Sequence, residues 1–215
     1  MNDPERDIAG ATRAHAGLIA EVRRLSDDQV RQPSLLPGWT VGHVATHIAR
    51  NADGHARLLE AALRGEVGTM YPGGREQRTN DIEAGARRSA EAIAADIAGT
   101  AAHLEQLWAT MTAEGWDGAG ETIAGTTSIR DLPFIRWREV VVHHADLGTG
   151  FSWSDWDPEY VRLELARMSM LWASRKPMGM TELPAAALAA GVHQRVAWLL
   201  GRAEIEGLPA SGIIY

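Results

Sequence analysis

The sequence predicts a mainly α-helical protein whose core is an antiparallel four-helix bundle. Apolar residues recur at three- and four-residue steps along four long stretches of the 215-residue chain, which is the period of an amphipathic helix. Few stretches alternate with the two-residue period of a strand. Proline and glycine cluster between the helical stretches, which indicates turns and connections there.

The composition excludes several classes of protein. Hydrophobic residues make up 45% and charged residues 23% of the chain, ordinary values for a globular protein with a real core. The formal net charge is −7 and there is no basic stripe, so neither nucleic acid nor an anionic membrane is expected as a partner. No apolar run could span a bilayer and the acidic N-terminus lacks a signal-peptide core, which predicts a cytoplasmic protein.

Cysteine is absent from the chain. Its absence excludes disulfides, thiolate metal sites and a cysteine nucleophile. Any thiol chemistry would therefore need a thiol that is brought in from outside.

The first helix is predicted over residues 4–25, with acidic residues at its start and arginines at its end, as the helix dipole favours. His15 lies on or near its apolar stripe, and both a buried structural role and a pocket-lining role remain open. Ser26 and Gln29 then have capping-box spacing, which indicates a short helical turn. The Pro-Gly pair at 37–38 marks a turn.

The second helix is predicted from a Thr40 cap to about Gly65. It carries a polar row at four-residue steps beside its apolar stripe, and each step turns about 40° along one flank. The row consists of His43, His47, Asn51 and His55. Such a row is either a solvated helix edge or a source of ligands, and spacing alone does not choose between them.

Residues 65–79 are predicted to be a loop, and residues 80–110 a long alanine-rich helix. His103 has no partner at helical spacing, which favours a core or surface position. The glycine-rich stretch 115–127 lacks the phosphate-loop pattern and its strand–helix context. We interpret it as a connection.

The fourth helix is predicted to start near Pro133 and to stop at Gly148. Glu139 and His143 are four residues apart and therefore share one face, with Asp146 three residues further along. A carboxylate and an imidazole at this spacing can bind one metal ion if another segment supplies a third ligand.

The polar row of the second helix offers that third ligand from His43, His47 or His55. Two histidines and a carboxylate suit Zn²⁺, although non-haem Fe(II) uses the same ligand types. Three protein ligands leave a position open for water or a substrate atom, which is typical of a catalytic site.

Beyond Gly148, residues 157–159 read Asp-Pro-Glu and open a helix to about residue 175. Residues 175–180 should break it, and a last helix is predicted over 183–201. We therefore expect a bundle with the metal site in residues 1–150, and a helical extension packed on it in residues 151–215.

Two segments carry a family resemblance. Residues 38–53 (G-W-T-V-G-H-V-A-T-H-I-A-R-N-A-D) and 137–148 (W-R-E-V-V-V-H-H-A-D-L-G) resemble the mycothiol-dependent maleylpyruvate isomerase family, one of the DinB-like metalloenzymes. Residues 70–85 and the L-L-G-R at 199–202 are also similar to family segments. The likeness is spread over most of residues 8–202.

The resemblance implies a DinB-like bundle with a divalent metal, zinc first, held by His47, Glu139 and His143. His43 then becomes a supporting residue. The resemblance also places the family's functional arginine at Arg202, where a guanidinium would bind a carboxylate of the substrate or the cofactor. Family members usually carry a small C-terminal domain with strands, and the segment before Arg202 is too short for it, so we expect that domain to be reduced or absent.

The implied reaction is the cis–trans isomerisation of maleylpyruvate. The thiolate of mycothiol adds to the activated double bond, the resulting single bond rotates, and the thiol leaves. One alternative is an S-transferase that conjugates mycothiol, or another low-molecular-weight thiol, to an electrophile. A second is a non-enzymatic helical metal-binding protein. The expected partners are a small-molecule substrate and a thiol cofactor, and a homodimer is left open.

Overall fold

The computed structural model describes residues 3–174 and 181–213, which are mainly helical, as predicted. The chain divides into two compact units, Met1–Gly150 and Phe151–Tyr215. None of the described helices has the length and apolar character needed to cross a membrane.

The first unit contains a long-helix bundle with short accessory helices. In chain order its described helices are α1 (Pro4–Val22), α2 (Asp27–Val30), α3 (Val41–Leu63), α4 (Gly74–Ala86), α5 (Ala90–Thr110), α6 (Ala113–Trp116) and α7 (Leu132–Asp146). Helix α1 packs against α5 and α7, and α3 packs against the same two helices. These four long helices therefore form the predicted bundle.

The core of this bundle is aliphatic and draws on all four long helices. Its buried members are Leu18, Val22, Val30, Val41, Val44, Ala45, Ile48, Ala49, Ala90, Ile93, Ala94, Ile97, Val140 and Leu147. Many of them are alanine or valine, small side chains that let helices approach closely.

The helix starts are fixed by side-chain caps that the sequence indicates. The Thr40 hydroxyl accepts from the backbone N–H of His43, which completes a capping box at the start of α3. Ser26 and Gln29 form the predicted capping box of α2. These caps satisfy backbone donors that have no partner inside the helix.

The prediction of one helix over residues 80–110 is wrong, because the chain forms two helices there. Helix α4 ends at Ala86, and Ser89 caps a new helix by accepting from the backbone N–H of Ala92. Asp27 also accepts from the backbone N–H of Ala90 at 2.7 Å. The predicted loop at 65–79 is wrong in its second half, where α4 has already begun at Gly74.

The glycine-rich stretch is more than a connection. It contains α6 and a hairpin of β2 (Ala119–Thr122) and β3 (Gly125–Ser128), and β2 also pairs in parallel with β1 (Gly68–Thr69). These strands consist mainly of small and polar residues. They lack the apolar alternation that would have predicted them.

The second unit contains α8 (Pro158–Ala173), α9 (Ala185–Ala189) and α10 (Val192–Leu199). The predicted last helix is thus interrupted between α9 and α10. Helices α8 and α10 pack together, with the rings of Trp172 and Trp198 5.4 Å apart. The described residues of this unit contain no strand, and the predicted break at 175–180 lies outside the described residues.

A close approach of α1 and α7 gives a test of the bundle. A Cβ added at Gly10 would lie 2.5 Å from ring atoms of Trp137, an indole that is only 1% exposed. We expect Gly10→Ala to lower the free energy of unfolding by about 1–3 kcal/mol through overpacking. Urea unfolding measures this change.

Gly17→Ala is the matched control on the same helix. An added Cβ there meets nothing within 4 Å, so this variant should be neutral or more stable by up to about 1 kcal/mol. Equal effects at the two positions would contradict the packing of α1 against α7.

Candidate metal centre

Helix α7 supplies two of the three candidate ligands. Pro133 lies in its first turn, and Gly148 follows its end with a φ of +70° that favours glycine. The four-residue spacing puts Glu139 and His143 on one face, with His143 Nε2 3.8 Å from Glu139 Oε2. The predicted pair is therefore formed by one helix alone.

Helix α3 brings His47 to this pair. Its Nε2 lies 3.4 Å from Glu139 Oε2, and its ring centroid is 4.6 Å from that of His143, with 82° between the ring planes. One ligand atom from each of the three residues lies within 4.8 Å of the other two. This is the spacing of side chains that can close around a single metal ion.

The three side chains are shielded but not sealed from solvent. The exposed fractions are 7% for His47, 15% for His143 and 23% for Glu139. Two imidazoles and a carboxylate form a donor set suited to zinc, and three ligands leave one coordination position for a small molecule. The donor set therefore fits a divalent metal, and the exposed side gives a ligand access to it.

Asp146 orients His143. Its buried carboxylate accepts from His143 Nδ1 at 2.8 Å, which places a ring proton on Nδ1 and directs Nε2 toward Glu139. A carboxylate behind a histidine ligand is typical of metal sites. Asp146 thus supports a candidate ligand and is not itself part of the cluster.

A buried polar network holds Glu139 from the other side. Asn51 donates through Nδ2 to Glu139 Oε2 at 3.2 Å, and its Oδ1 accepts from Arg136 Nη1 at 2.8 Å. Arg136 is fully buried and also donates through Nε to His15 Nε2 at 3.0 Å. His15 Nδ1 in turn contacts Glu105 at 2.8 Å. His15 is therefore a buried structural residue.

The electrostatics favour the metal-binding forms of two ligands. Burial lowers the pKa of His47 to about 4, although its hydrogen bond to Glu139 acts in the opposite direction. Burial alone would raise the pKa of Glu139, but the hydrogen bond from His47 and the charges of neighbouring histidines hold it below its ordinary value. At neutral pH the imidazole is neutral and the carboxylate is ionised, as metal ligands must be.

The other histidines of the α3 row lie apart from the cluster. His43 faces Thr40 through Nδ1 at 2.7 Å and Glu83 through Nε2 at 3.3 Å, so it serves the helix cap. His55 is 1% exposed, and its Nδ1 has no hydrogen-bond partner among the described residues. The geometry thus distinguishes His47 within a row whose spacing alone left three alternatives.

Two further side chains, Arg78 and Trp39, contact His47. Arg78 of α4 donates through Nη2 to His47 Nδ1 at 3.0 Å, and its guanidinium carbon is 5.9 Å from the centre of the Tyr71 ring. The ring of Trp39 meets His47 edge-on, with 5.6 Å between centroids. Arg78 and Trp39 therefore contact this ligand directly, and Tyr71 contacts Arg78.

The candidate residue Arg202 belongs to the second unit. Its Nη1 donates to the carbonyl of Leu200 at 2.8 Å, and its carboxylate-binding role stays a prediction. Sequence reasoning did not single out Arg136 or Arg78. Arg136 had a signal, since it lies three residues before Glu139 on the same helix, and a charged residue there is unusual on a buried face.

Comparisons with known proteins place this geometry in a family context. Residues 11–148 match the model of the mycothiol maleylpyruvate isomerase N-terminal domain. The chain is also similar to the crystal structure of the mycothiol-dependent maleylpyruvate isomerase, with a TM-score of 0.80 and 24% identity over 93% of this chain and 90% of that chain. The crystal structure of a histidine-to-alanine mutant of the mycothiol-dependent maleylpyruvate isomerase gives a TM-score of 0.80 at 23% identity, with the same coverage. These two structural likenesses establish the fold. The search of curated proteins found no match.

The buried histidines predict a pH dependence of stability. Burial is the main cause that lowers the pKa of His15 to about 4 and that of His55 to about 3. Between pH 6.5 and 4.5 the unfolded chain binds protons at these positions and the folded protein does not. Stability should therefore fall with decreasing pH by about 1.4 kcal/mol per pH unit for each such histidine.

Urea unfolding of metal-free protein across this pH range measures the slope. His55→Leu removes one titrating group, so its slope should be shallower than that of the wild type. His103→Leu is the control, because the His103 side chain is 51% exposed. An unchanged slope in His55→Leu would contradict the burial of a neutral imidazole.

Proposed function

The chain belongs to the mycothiol maleylpyruvate isomerase N-terminal domain family, and from this premise we propose that it is a metal- and thiol-dependent isomerase. Its substrate would be maleylpyruvate or a close analogue, converted from the cis to the trans form. The thiol would be mycothiol or another low-molecular-weight thiol. The single observation that carries the proposal is the convergence of His47, Glu139 and His143 within 4.8 Å.

These three residues would hold the metal, for which we propose zinc. The metal would supply Lewis acidity, which lowers the pKa of a bound thiol so that a thiolate is available at neutral pH. The protein's own part is to keep His47 neutral and Glu139 ionised, and to fix the directions of the His143 ring and the Glu139 carboxylate. Burial and the contacts of Asp146 and Asn51 support this part of the proposal.

The composition supports a borrowed nucleophile. The chain has no cysteine, so a sulfur nucleophile must enter with a small molecule. The partly exposed side chains of Glu139 and His143 leave an entry path for it. After addition of sulfur to the cis double bond and rotation about the resulting single bond, expulsion of the same thiol gives the trans product, and no thiol is consumed.

We also propose that Arg202 orients a carboxylate of the substrate. A planar guanidinium binds a carboxylate through two parallel hydrogen bonds, which gives orientation as well as affinity. Holding the substrate in one orientation favours rotation toward a single product.

An assay of purified, zinc-loaded protein with maleylpyruvate tests the proposal. We expect isomerisation that requires mycothiol and leaves its concentration unchanged. His47→Ala should reduce the rate by more than about 100-fold, since loss of a residue that merely supports a ligand costs about 10- to 100-fold. The control variant His103→Ala should retain the rate, because His103 is exposed and contacts Glu60 instead of the cluster.

Two outcomes would count against the proposal. Isomerisation that persists after both His47→Ala and metal removal would contradict the metal-dependent mechanism. A stable thiol conjugate, formed while free thiol is consumed, would identify an S-transferase instead.

A further inference from the structure

We propose that Arg78 binds a carboxylate of the substrate directly beside the metal cluster. This inference rests on the proposed function, because it takes a short dicarboxylate as the ligand. Arg78 belongs to the bundle unit, whereas Arg202 belongs to the second unit. The position of Arg78, its lack of a carboxylate partner among the described residues and its free hydrogen-bonding capacity each favour a carboxylate ligand.

The position of Arg78 is set by helix α4. This helix packs against α3, and Arg78 lies on its second turn, half-buried, with Nη2 3.0 Å from His47 Nδ1. The guanidinium is therefore one hydrogen bond away from a candidate ligand. A substrate held at the cluster would lie within reach of it.

Arg78 has no carboxylate partner within the described ranges, whereas Arg50 of α3 and Arg88, two residues after α4, share one. Arg50 contacts Asp96 at 2.6 Å, and Arg88 contacts the same carboxylate at 2.5 Å. Arg78 instead faces an imidazole and the ring of Tyr71. An unpaired cation at the border of a small-molecule site indicates that its counter-ion is the ligand.

The hydrogen bond of Arg78 leaves most of its capacity unused. A guanidinium carries five N–H donors in a fork that matches a carboxylate, whereas an imidazole nitrogen accepts only one of them. Arginine cannot accept, so His47 Nδ1 is the acceptor here, and the neutral ring carries its proton on Nε2. A carboxylate would use two donors of Arg78 at once and would add an opposite charge.

The same contact couples Arg78 to the state of His47. If His47 ligates through Nε2, the ring proton must lie on Nδ1, which then no longer accepts from Arg78. Arg78 is thereby released toward a carboxylate. By linkage, a carboxylate should bind more tightly to the zinc-loaded protein than to the metal-free protein.

Tyr71 supports the same site. Its ring faces the guanidinium, a contact that limits the directions in which the cation can point. Burial raises the pKa of Tyr71, although the charge of Arg78 acts against it. The hydroxyl therefore stays protonated at neutral pH and can donate to an oxyanion.

Calorimetric titration with maleate, a short cis dicarboxylate, tests this site in zinc-loaded and metal-free protein. We expect Arg78→Met to weaken maleate binding by about 10- to 100-fold, the effect of removing a charge-assisted pair, and Arg78→Lys to give an intermediate loss. Zinc affinity should not fall, since arginine is not a ligand and its hydrogen bond to His47 Nδ1 competes with ligation through Nε2. Arg87→Met is the control, because Arg87 is exposed and follows the last residue of α4.

Wild-type protein that does not bind maleate would overturn the inference, and so would equal maleate affinity in wild type, Arg78→Met and Arg78→Lys. Arg78→Lys keeps the test decisive if Arg78→Met does not fold. A different result would contradict the proposed function. Maleate binding that depends on Arg78 in a protein without zinc affinity or isomerase activity would support the carboxylate site and contradict the isomerase.

Discussion

The burial of Arg136 is the constraint on which the metal centre depends. A fully buried guanidinium costs several kcal/mol unless hydrogen bonds offset that cost. Arg136 donates through Nη1 to the Ile48 carbonyl and Asn51 on α3 and through Nε to His15 on α1, while its Nη2 has no partner among the described residues. Burial lowers its pKa only to about 10, so it remains charged at neutral pH. These bonds tie α7 to two other helices at a fixed register. That register sets Glu139, one turn further along α7, against His47.

The centre is built in two layers around this anchor. On the inner side, Asn51 and Asp146 fix Glu139 and His143 through hydrogen bonds. On the outer side, Arg78, Tyr71 and Trp39 surround the partly exposed ligands. The inner contacts hold the carboxylate of Glu139 and the ring of His143 in place, whereas Arg78 on the outer side has no carboxylate partner among the described residues. Ligands held by hydrogen bonds, next to an arginine that lacks a carboxylate partner, are expected of a site that binds an anionic substrate.

The sequence predicts local features, but it does not predict features that depend on contacts between distant segments. Glu139 and His143 are recognised because one helical turn joins them, and the long helices follow from their apolar period. His47 is distinguished from His43 only by the resemblance and then by the geometry.

The hairpin at 119–128 is held by backbone pairing without apolar alternation. The division at Ser89 is missed because a capping residue within an alanine-rich stretch resembles a helix interior. The proposed role of Arg78 depends on its contact with His47 on another helix, which the sequence does not predict.

Zinc binding by the purified chain, compared in His47→Ala and His43→Ala, tests the central claim most directly. Both residues lie on α3 four positions apart, but only His47 reaches Glu139 and His143, whereas His43 contacts Thr40 and Glu83. The account predicts that wild type and His43→Ala each bind one zinc ion with similar affinity, and that His47→Ala binds it at least about 100-fold more weakly. Undiminished zinc binding in His47→Ala, or an equal loss in both variants, would contradict it.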